Sequence, residues 1–301
     1  MTPSSSSSSS SNNSGGTSIE CLASGGCRGI IIVFTGNIGA GKSTAIERLA
    51  DEMKRAFPNK RVHVMRERVD PELLKLLYSG GAPDVSTAEG MRWIFQLQKA
   101  VGRWKDVIAA KQLRARGDIV LMDTDPSHDA VFARVNLSSD QFALYERMLE
   151  VHRREIGFEP DMRFVLRTSP VECVENIAAR ASTQESRRCE LSIGVDYLER
   201  LHAAFLDAYP DCDDVADESP NVIVQARHFN QHATVVTAVR YLLNACPHNR
   251  TPLITPRLLM SNLLIGGNGT TSNSSCRCTA IRLALDVGAQ VVDDSQCIHK
   301  V

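Results

Sequence analysis

Residues 29–44 read GIIIVFTGNIGAGKST, and this stretch decides the fold of the chain. It opens with a continuous run of apolar, mostly β-branched residues, which is typical of a strand buried on both faces of a parallel sheet. From Gly36 to Ser43 it fits the pattern G-x-x-x-x-G-K-[ST] at every fixed position. Apolar residues at helical spacing then continue to Ala56, so we expect a strand, a glycine-rich loop and a helix in succession.

The glycine-rich loop predicts a site for the phosphates of a nucleoside triphosphate. Its glycines allow backbone N–H groups to turn toward phosphate oxygens, and the start of the helix adds positive potential. Lys42 is expected to bridge the β- and γ-phosphates, and Ser43 to bind Mg²⁺. The predicted ATP-binding residues are Gly36, Asn37, Ile38, Gly39, Ala40, Gly41, Lys42, Ser43 and Thr44.

Switches, motors and kinases all use such a loop. A guanine-nucleotide switch needs an N-K-x-D string to read its base, and no such string occurs in the chain. Motors and remodelling ATPases generally need a body larger than 301 residues. A small phosphotransferase fits the length best.

Beyond the loop, predicted strands alternate with predicted helices, which indicates a doubly wound parallel sheet flanked by helices. Further strands are predicted at residues 61–66, 118–122, 162–167 and 221–225. Helices are predicted at residues 43–56, 72–78, 87–116, 141–156, 170–179, 196–209 and 234–245. With the phosphate loop, this pattern predicts an α/β fold of the P-loop kinase type.

The two ends of the chain differ in composition from its middle. Residues 1–28 form a Ser-rich tail that can bury too little apolar surface to fold, so we expect disorder there. Residues 29–246 form the predicted kinase domain. Residues 247–301 mix Pro, Gly, Asn and Ser with short apolar pieces and carry no motif, so we interpret them as a C-terminal tail of unknown role.

Composition narrows the range of partners. The chain is 43% hydrophobic and 23% charged, which is typical of a globular protein, and its net charge is −1. No basic surplus exists to neutralise nucleic-acid or membrane phosphates, and no apolar run approaches the ~18 residues of a membrane span. The nine cysteines form no disulfide framework and there is no secretion signal. We therefore expect a cytoplasmic protein without nucleic-acid or membrane partners.

A carboxylate follows each of the next two strands. Glu67 comes directly after the predicted strand at residues 61–66, and Asp123 comes directly after the predicted strand at residues 118–122. Ligands gather at the carboxyl ends of strands in open α/β sheets. Glu67 could accept a proton from an acceptor hydroxyl, and Asp123 could hold Mg²⁺. The alternative is solvated surface, which is common for charged residues at strand ends.

Together these residues resemble the deoxynucleoside kinases. The resemblance rests on Gly36–Thr44, on Glu67 after a strand, on Phe95-Gln96 in a long helix, and on YLERLH at residues 197–202. The family holds the deoxycytidine, deoxyguanosine and mitochondrial thymidine kinases, with the herpesvirus thymidine kinases as relatives. The resemblance implies 5′-phosphorylation of deoxynucleosides by ATP and Mg²⁺, and a homodimer formed through helices beside the active site.

The resemblance also implies roles in phosphoryl transfer. Glu67 matches the general base that takes the proton of the 5′-hydroxyl, and Asp123 matches an acidic residue that serves Mg²⁺. With Lys42 on the phosphates, the remaining catalytic residues would be lid arginines that close over ATP. These are Arg180, Arg187 and Arg188, whose alternative interpretation is a solvated basic loop.

Substrate contacts follow from the same resemblance. Gln96 matches a glutamine that pairs with the base, while Arg103 and its partner Asp129 match groups at the base edge. Glu190 would hold the sugar 3′-hydroxyl, and Tyr78 would contact the sugar. Gln96 and Arg103 are seven residues apart, so they lie on one face of their helix. The alternative for this pair is ordinary ion pairing on a solvated helix surface.

Two features bear on the substrate. An Arg103–Asp129 wall beside Gln96 favours adenine, guanine or cytosine and occupies the room that the thymine methyl group needs. Asp123-Thr-Asp-Pro126 echoes the D-R-H-P motif of the herpesvirus thymidine kinases, which keeps thymidine as the alternative. Thr124 replaces the arginine that the family has after the acidic residue. A nucleoside monophosphate kinase and a non-catalytic nucleotide-binding protein stay open as further alternatives.

Overall fold

The apolar run that follows Gly29 forms the central strand of a parallel sheet. In the computed structural model, residues 29–68, 70, 72–74, 85–210, 221–225 and 232–244 are described. Within them, the strands are β1 (Ile30–Gly36), β2 (Val62–Met65), β3 (Ile119–Asp123), β4 (Met162–Arg167) and β5 (Asn221–Gln225). They lie in the order β2-β3-β1-β4-β5, and every neighbouring pair is parallel.

Helices connect these strands. They are α1 (Lys42–Ala56), α2 (Val85–Ala115), α3 (Pro126–Asn136), α4 (Ser139–Ile156), α5 (Pro170–Thr183), α6 (Val195–Ala208) and α7 (His232–Asn244). A 3-10 helix over Glu185–Ser192 joins α5 to α6.

The helices cover both faces of the sheet because successive residues of β1 point to opposite sides. Ile32 and Phe34 face one core, which contains Leu49 of α1 together with residues of α5, α6 and α7. Ile31 and Val33 face the other core, which α2 and α4 close. Since all residues of β1 are buried, the doubly wound parallel sheet predicted from the sequence is confirmed.

Helix α3 is the element that sequence analysis missed. Its N-cap is Asp125, whose side chain accepts a hydrogen bond from the N–H of His128, and Pro126 occupies its first turn. This arrangement is a standard helix start. Its apolar pattern is weak, however, and an Asp-Pro pair also favours turns, so the sequence pattern predicts no helix there. The predicted strands are present within the described residues, and so are the predicted helices other than that at residues 72–78, with boundaries shifted by a few residues. Of the helix predicted at residues 72–78, the described residues 72–74 are helical.

Some sequence predictions fall outside the described residues. These are the tails at residues 1–28 and 247–301, Tyr78, and the second half of the helix predicted at residues 72–78. The described helices include none long and apolar enough to cross a membrane.

A substitution at Phe34 tests the packing of the core that Ile32 and Phe34 face. Its side chain is fully buried against Phe164, with ring centroids 5.2 Å apart. We expect Phe34→Ala to lower the free energy of unfolding by about 3–5 kcal/mol, because it removes apolar contacts and leaves a cavity. Urea denaturation measures this loss. Val171→Ala, at a side chain that is 62% exposed, is the control and should change stability by less than about 0.5 kcal/mol; equal losses in the two variants would contradict the packing described.

Candidate active site

The candidate site lies at the carboxyl edge of the sheet, where the loop after β1 meets residues that follow β2 and β3. A cavity of about 850 Å³ opens there. Its walls include the phosphate loop from Ile38 to Thr44, Glu67, Gln96 and Asp123. Elements distant in sequence thus converge on one space, as expected at the carboxyl ends of parallel strands.

The phosphate loop is held open by contacts on its outer side. Asn176 donates to the carbonyl of Gly39 at 2.8 Å, and the Thr168 hydroxyl donates to the carbonyl of Ala40 at 3.0 Å. Gly39 has a φ of 75°, and a Cβ there would lie 2.5 Å from the carbonyl oxygen of Cys173. Only glycine fits this close approach. The carbonyls of Gly39 and Ala40 thus point away from the inside of the loop, which suits a phosphate cradle.

Lys42 closes the loop from inside. Its ammonium group donates to the carbonyls of Gly36 at 3.0 Å and Asn37 at 2.9 Å. Burial lowers the pKa of Lys42, and the nearby carboxylates of Asp123 and Glu67 partly offset this. A phosphate group at the loop would strengthen the charged form further.

Ser43 and Asp123 fit a divalent cation. The Ser43 hydroxyl donates to Oδ2 of Asp123 at 2.9 Å, whereas Oδ1 is buried and accepts no hydrogen bond from the described residues. Burial raises the pKa of Asp123. An unsatisfied, desolvated carboxylate oxygen beside a hydroxyl suits Mg²⁺. The described residues contain no group of three His, Cys, Asp or Glu side chains that could hold a metal, so phosphate oxygens and water would complete the coordination.

Arg103 joins Asp129, Asp123 and Glu67 at one side of the site. Its Nε donates to Oδ2 of Asp129 at 2.8 Å, and its Nη1 donates to the main-chain oxygen of Asp123 at 3.2 Å. Its Nη2 reaches Oε1 of Glu67 at 3.3 Å. Arg103 is 4% exposed, so ordinary ion pairing on a solvated surface does not describe it. It lines a smaller neighbouring cavity of about 480 Å³ rather than the larger one.

Glu67 is flanked by a second cation that sequence analysis did not single out. Lys99, on α2, donates to Oε1 of Glu67. Burial by itself raises the pKa of Glu67, but the charges of Lys99 and Arg103 outweigh it and hold this pKa well below its ordinary value. Lys99 lies three residues after Gln96 and four before Arg103, and this helical spacing was the signal that could have identified it.

His128 and Phe132 of α3 line the cavity. The sequence pattern predicts neither as a site residue, because it does not predict α3. Nδ1 of His128 lies 2.8 Å from the Thr35 hydroxyl. The ring centroids of His128 and Phe132 are 4.9 Å apart. Burial, followed by the positive charge of Lys42, lowers the pKa of His128 well below its ordinary value. His128 is therefore a neutral residue of the cavity wall at neutral pH.

The predicted lid follows α5 and carries Glu190, which is buried. Arg180 and Arg187 both donate to its carboxylate, the latter at 2.8 Å. All three residues line the cavity. Arg188 does not; its exposed side chain lies 3.7 Å from Glu185.

Most of the predicted site residues thus meet in one place. Those on the cavity wall are Ile38, Gly39, Ala40, Gly41, Lys42, Ser43, Thr44, Glu67, Gln96, Asp123, Asp129, Arg180, Arg187 and Glu190. Gly36 and Asn37 lie buried behind the loop, and Arg103 lies behind Asp129 and Glu67. Tyr78 falls outside the described residues. Their catalytic and binding roles stay predictions.

Sequence comparison identifies the family to which these features point. A sequence model with the description "Deoxynucleoside kinase" matches residues 32–243 of the chain. A protein of Frog virus 3 (isolate Goorha), provisionally described as a deoxynucleoside kinase, is 25% identical over 179 residues. That alignment covers 58% of this chain and 80% of the viral protein.

Structural comparison gives matching folds. A deoxyadenosine kinase from M. mycoides, with the products dCMP and a flexible dCDP bound, aligns with a TM-score of 0.51 and 22% identity. The deoxyadenosine kinase from M. mycoides with bound dATP aligns with a TM-score of 0.50 and 21% identity. Each alignment covers 72% of this chain and 100% of the other. At these identities the likeness shows a shared fold.

The lowered pKa of His128 generates a prediction about stability and pH. The ring stays neutral in the folded protein, while in the unfolded chain it takes up a proton below about pH 6.5. Stability should therefore fall as the pH drops below that value, by at most about 1.4 kcal/mol per pH unit from this residue. His128→Gln should lose less stability between about pH 7.5 and about pH 5.5 than the wild type does. Urea denaturation at both pH values measures the difference, and parallel losses in the two proteins would contradict it.

Proposed function

Because the chain belongs to the deoxynucleoside kinase family, we propose that it transfers the γ-phosphoryl group of ATP to the 5′-hydroxyl of a deoxynucleoside. The observation that carries this proposal is that Glu67 and the phosphate loop line the same cavity. Phosphoryl transfer needs cations around the transferred group and an acceptor hydroxyl held in line with it. We place the reaction in the cytoplasm, because the described cysteines, Cys173 and Cys189, are free thiols.

On the donor side, the backbone of the phosphate loop and Lys42 would hold the β- and γ-phosphates. When Mg²⁺ is bound at Ser43 and Asp123, it supplies charge that neutralises these phosphates. Arg180, in the last turn of α5, and Arg187, on the lid, face the same cavity, where guanidinium groups can stabilise negative charge that develops during transfer.

On the acceptor side, the 5′ oxygen forms a bond to the γ-phosphorus while the bond from that phosphorus to the β,γ-bridging oxygen breaks. ADP leaves with the bridging oxygen. The hydroxyl proton passes to Glu67, which the neighbouring cations keep ionised and able to accept it. Glu190, buried between two lid arginines, would then accept a hydrogen bond from the 3′-hydroxyl.

We further propose that the substrate carries cytosine or a purine. Gln96 is 3% exposed and lines the cavity; Asp129 lines the same cavity and accepts a hydrogen bond from Arg103. A buried amide and a buried carboxylate–guanidinium pair need partners of matching polarity, which the amino-bearing edges of these bases provide.

Within the echo of the herpesvirus thymidine kinases at residues 123–126, Asp125 replaces the histidine of the motif and caps α3. Asp125 is fully buried, accepts the N–H of His128 at 2.9 Å and pairs with Arg163 at 2.5 Å. It is not part of the cavity wall. Of the two residues that the echo shares, Pro126 lies in the first turn of α3 and Asp123 accepts the Ser43 hydroxyl, so neither supports a thymidine preference.

An assay of ADP release with ATP and Mg²⁺ tests both proposals, using each of the four natural deoxynucleosides as acceptor. We expect the highest turnover with deoxycytidine or a purine deoxynucleoside. We expect Glu67→Gln to lower kcat by roughly 10²- to 10⁴-fold, because an amide cannot take up the proton. The matched control is Glu47→Gln, which removes a carboxylate of the cavity mouth that pairs with Arg66 at 2.7 Å, and it should keep the wild-type rate.

Three results would count against these proposals. Turnover mainly with thymidine would support the proposed kinase activity but contradict the proposed base preference. Full activity in Glu67→Gln would remove Glu67 as the base. No turnover with any deoxynucleoside would overturn the proposed reaction.

We also propose that the protein forms a homodimer through α2 and α4. Apolar side chains recur every seven residues along α2, at Ile94, Val101 and Ile108, and again on α4, at Leu144 and Val151; each is more than 40% exposed. The helices lie side by side, with the rings of Trp104 and His152 stacked at 4.6 Å. An apolar face spread over two long helices suits the matching face of a second copy.

Light scattering after size exclusion tests the dimer. We expect the wild type to have the mass of two chains and Val101→Lys to have the mass of one, because a lysine would be desolvated at the interface. Val171→Lys, at an exposed apolar residue of α5, is the control and should stay dimeric. A monomeric wild type would refute the proposal.

A further inference from the structure

The contact between Lys99 and Glu67 has a consequence for the reaction. Lys99 lines the cavity, and its side chain is 12% exposed while that of Glu67 is 26% exposed. An ion pair so little exposed is weakly screened by solvent, so it constrains both groups more than a surface pair would.

Arg103 cannot fill this place by itself. Two of its three nitrogens donate to Asp129, at 2.8 and 3.3 Å, and the third donates to the main-chain oxygen of Asp123. Its single contact with Glu67, at 3.3 Å, comes from a nitrogen that it shares with Asp129. Lys99 is therefore the main counter-charge of Glu67.

Both cations hold the same oxygen of Glu67. Lys99 and Arg103 donate to Oε1, whereas Oε2 accepts no hydrogen bond from the residues that the structure describes. One oxygen is thus fixed from α2, and the other is left to accept a hydrogen bond from a bound molecule. A carboxylate held in this way keeps one orientation without the loss of its basic oxygen.

We infer that Lys99 is a positioning residue for Glu67, which fixes one carboxylate oxygen so that the other receives the proton of the acceptor hydroxyl. This inference rests on the proposed function.

The test compares Lys99→Met, which keeps the length of the side chain but removes its charge, with Lys99→Arg, which keeps the charge. With the best deoxynucleoside, we expect Lys99→Met to lower kcat roughly tenfold or more, because the base loses its orientation. The KM for ATP should change less than about twofold, since the phosphate loop is untouched. Lys99→Arg should recover most of the lost rate. Lys105→Met, on the exposed side of the same helix, should match the wild type.

A purely structural role for Lys99 would lower stability and leave kcat and its recovery by arginine unaffected, so thermal unfolding is measured on every variant. If Lys99→Met does not fold, Lys99→Gln gives the same comparison. An unchanged kcat in the neutral variant would overturn the inference, and so would a higher kcat, because Lys99 would then restrain the base. A wild type that phosphorylates no deoxynucleoside would overturn the proposed function and this inference together, whereas an active wild type with an unaffected variant overturns the inference alone.

Discussion

The acceptor side of the site depends on one buried guanidinium group. Arg103 of α2 binds Asp129 of α3, the main chain of Asp123 at the end of β3, and Glu67 after β2. Burial alone lowers the pKa of Arg103, but the Asp129 carboxylate outweighs it and raises this pKa above its ordinary value. A buried charge must be fully paired. The elements that provide its partners are therefore held in one arrangement, and the acceptor wall keeps its shape.

Asp123 joins this acceptor wall to the phosphate loop. Its side chain accepts the Ser43 hydroxyl, and its main-chain oxygen accepts Arg103. One residue at the end of β3 thus contacts the donor side through its carboxylate and the acceptor side through its backbone. β1 and β3 are paired neighbours in the sheet, with Phe34 opposite Asp123. The pairing of these two strands therefore sets the separation between the phosphate loop and the acceptor wall.

Local patterns in the sequence predicted the fold well, since they carry the physics that forms each element. The apolar run of β1 predicts burial on both faces of the strand. The glycine pattern predicts the phosphate loop without any knowledge of tertiary contacts. Helix α3 was missed because its apolar pattern is weak and its Asp125-Pro126 start also suits a turn; the pairing of Asp125 with Arg163, which anchors that start, is visible only in three dimensions. The pairing of Lys99 with Glu67 joins residues 32 apart in sequence. The helical spacing places Lys99 on the face of Gln96 and Arg103, but it does not show that Glu67 meets that face.

The backbone at Thr124 explains how the carboxylates on either side of it, Asp123 and Asp125, make different contacts. Thr124 has a φ of 80°, which is costly for a β-branched residue, and its buried hydroxyl has no hydrogen-bond partner among the described residues. Its N–H still bonds to the carbonyl of Phe34 at 3.0 Å. The turn at this residue lets Asp123 point to Ser43 while Asp125 caps α3. Without such a turn, an extended continuation of β3 would not lead directly into α3, and the helix would not bring Asp129 to Arg103. The strain at Thr124 is thus tied to the geometry that assembles the acceptor wall.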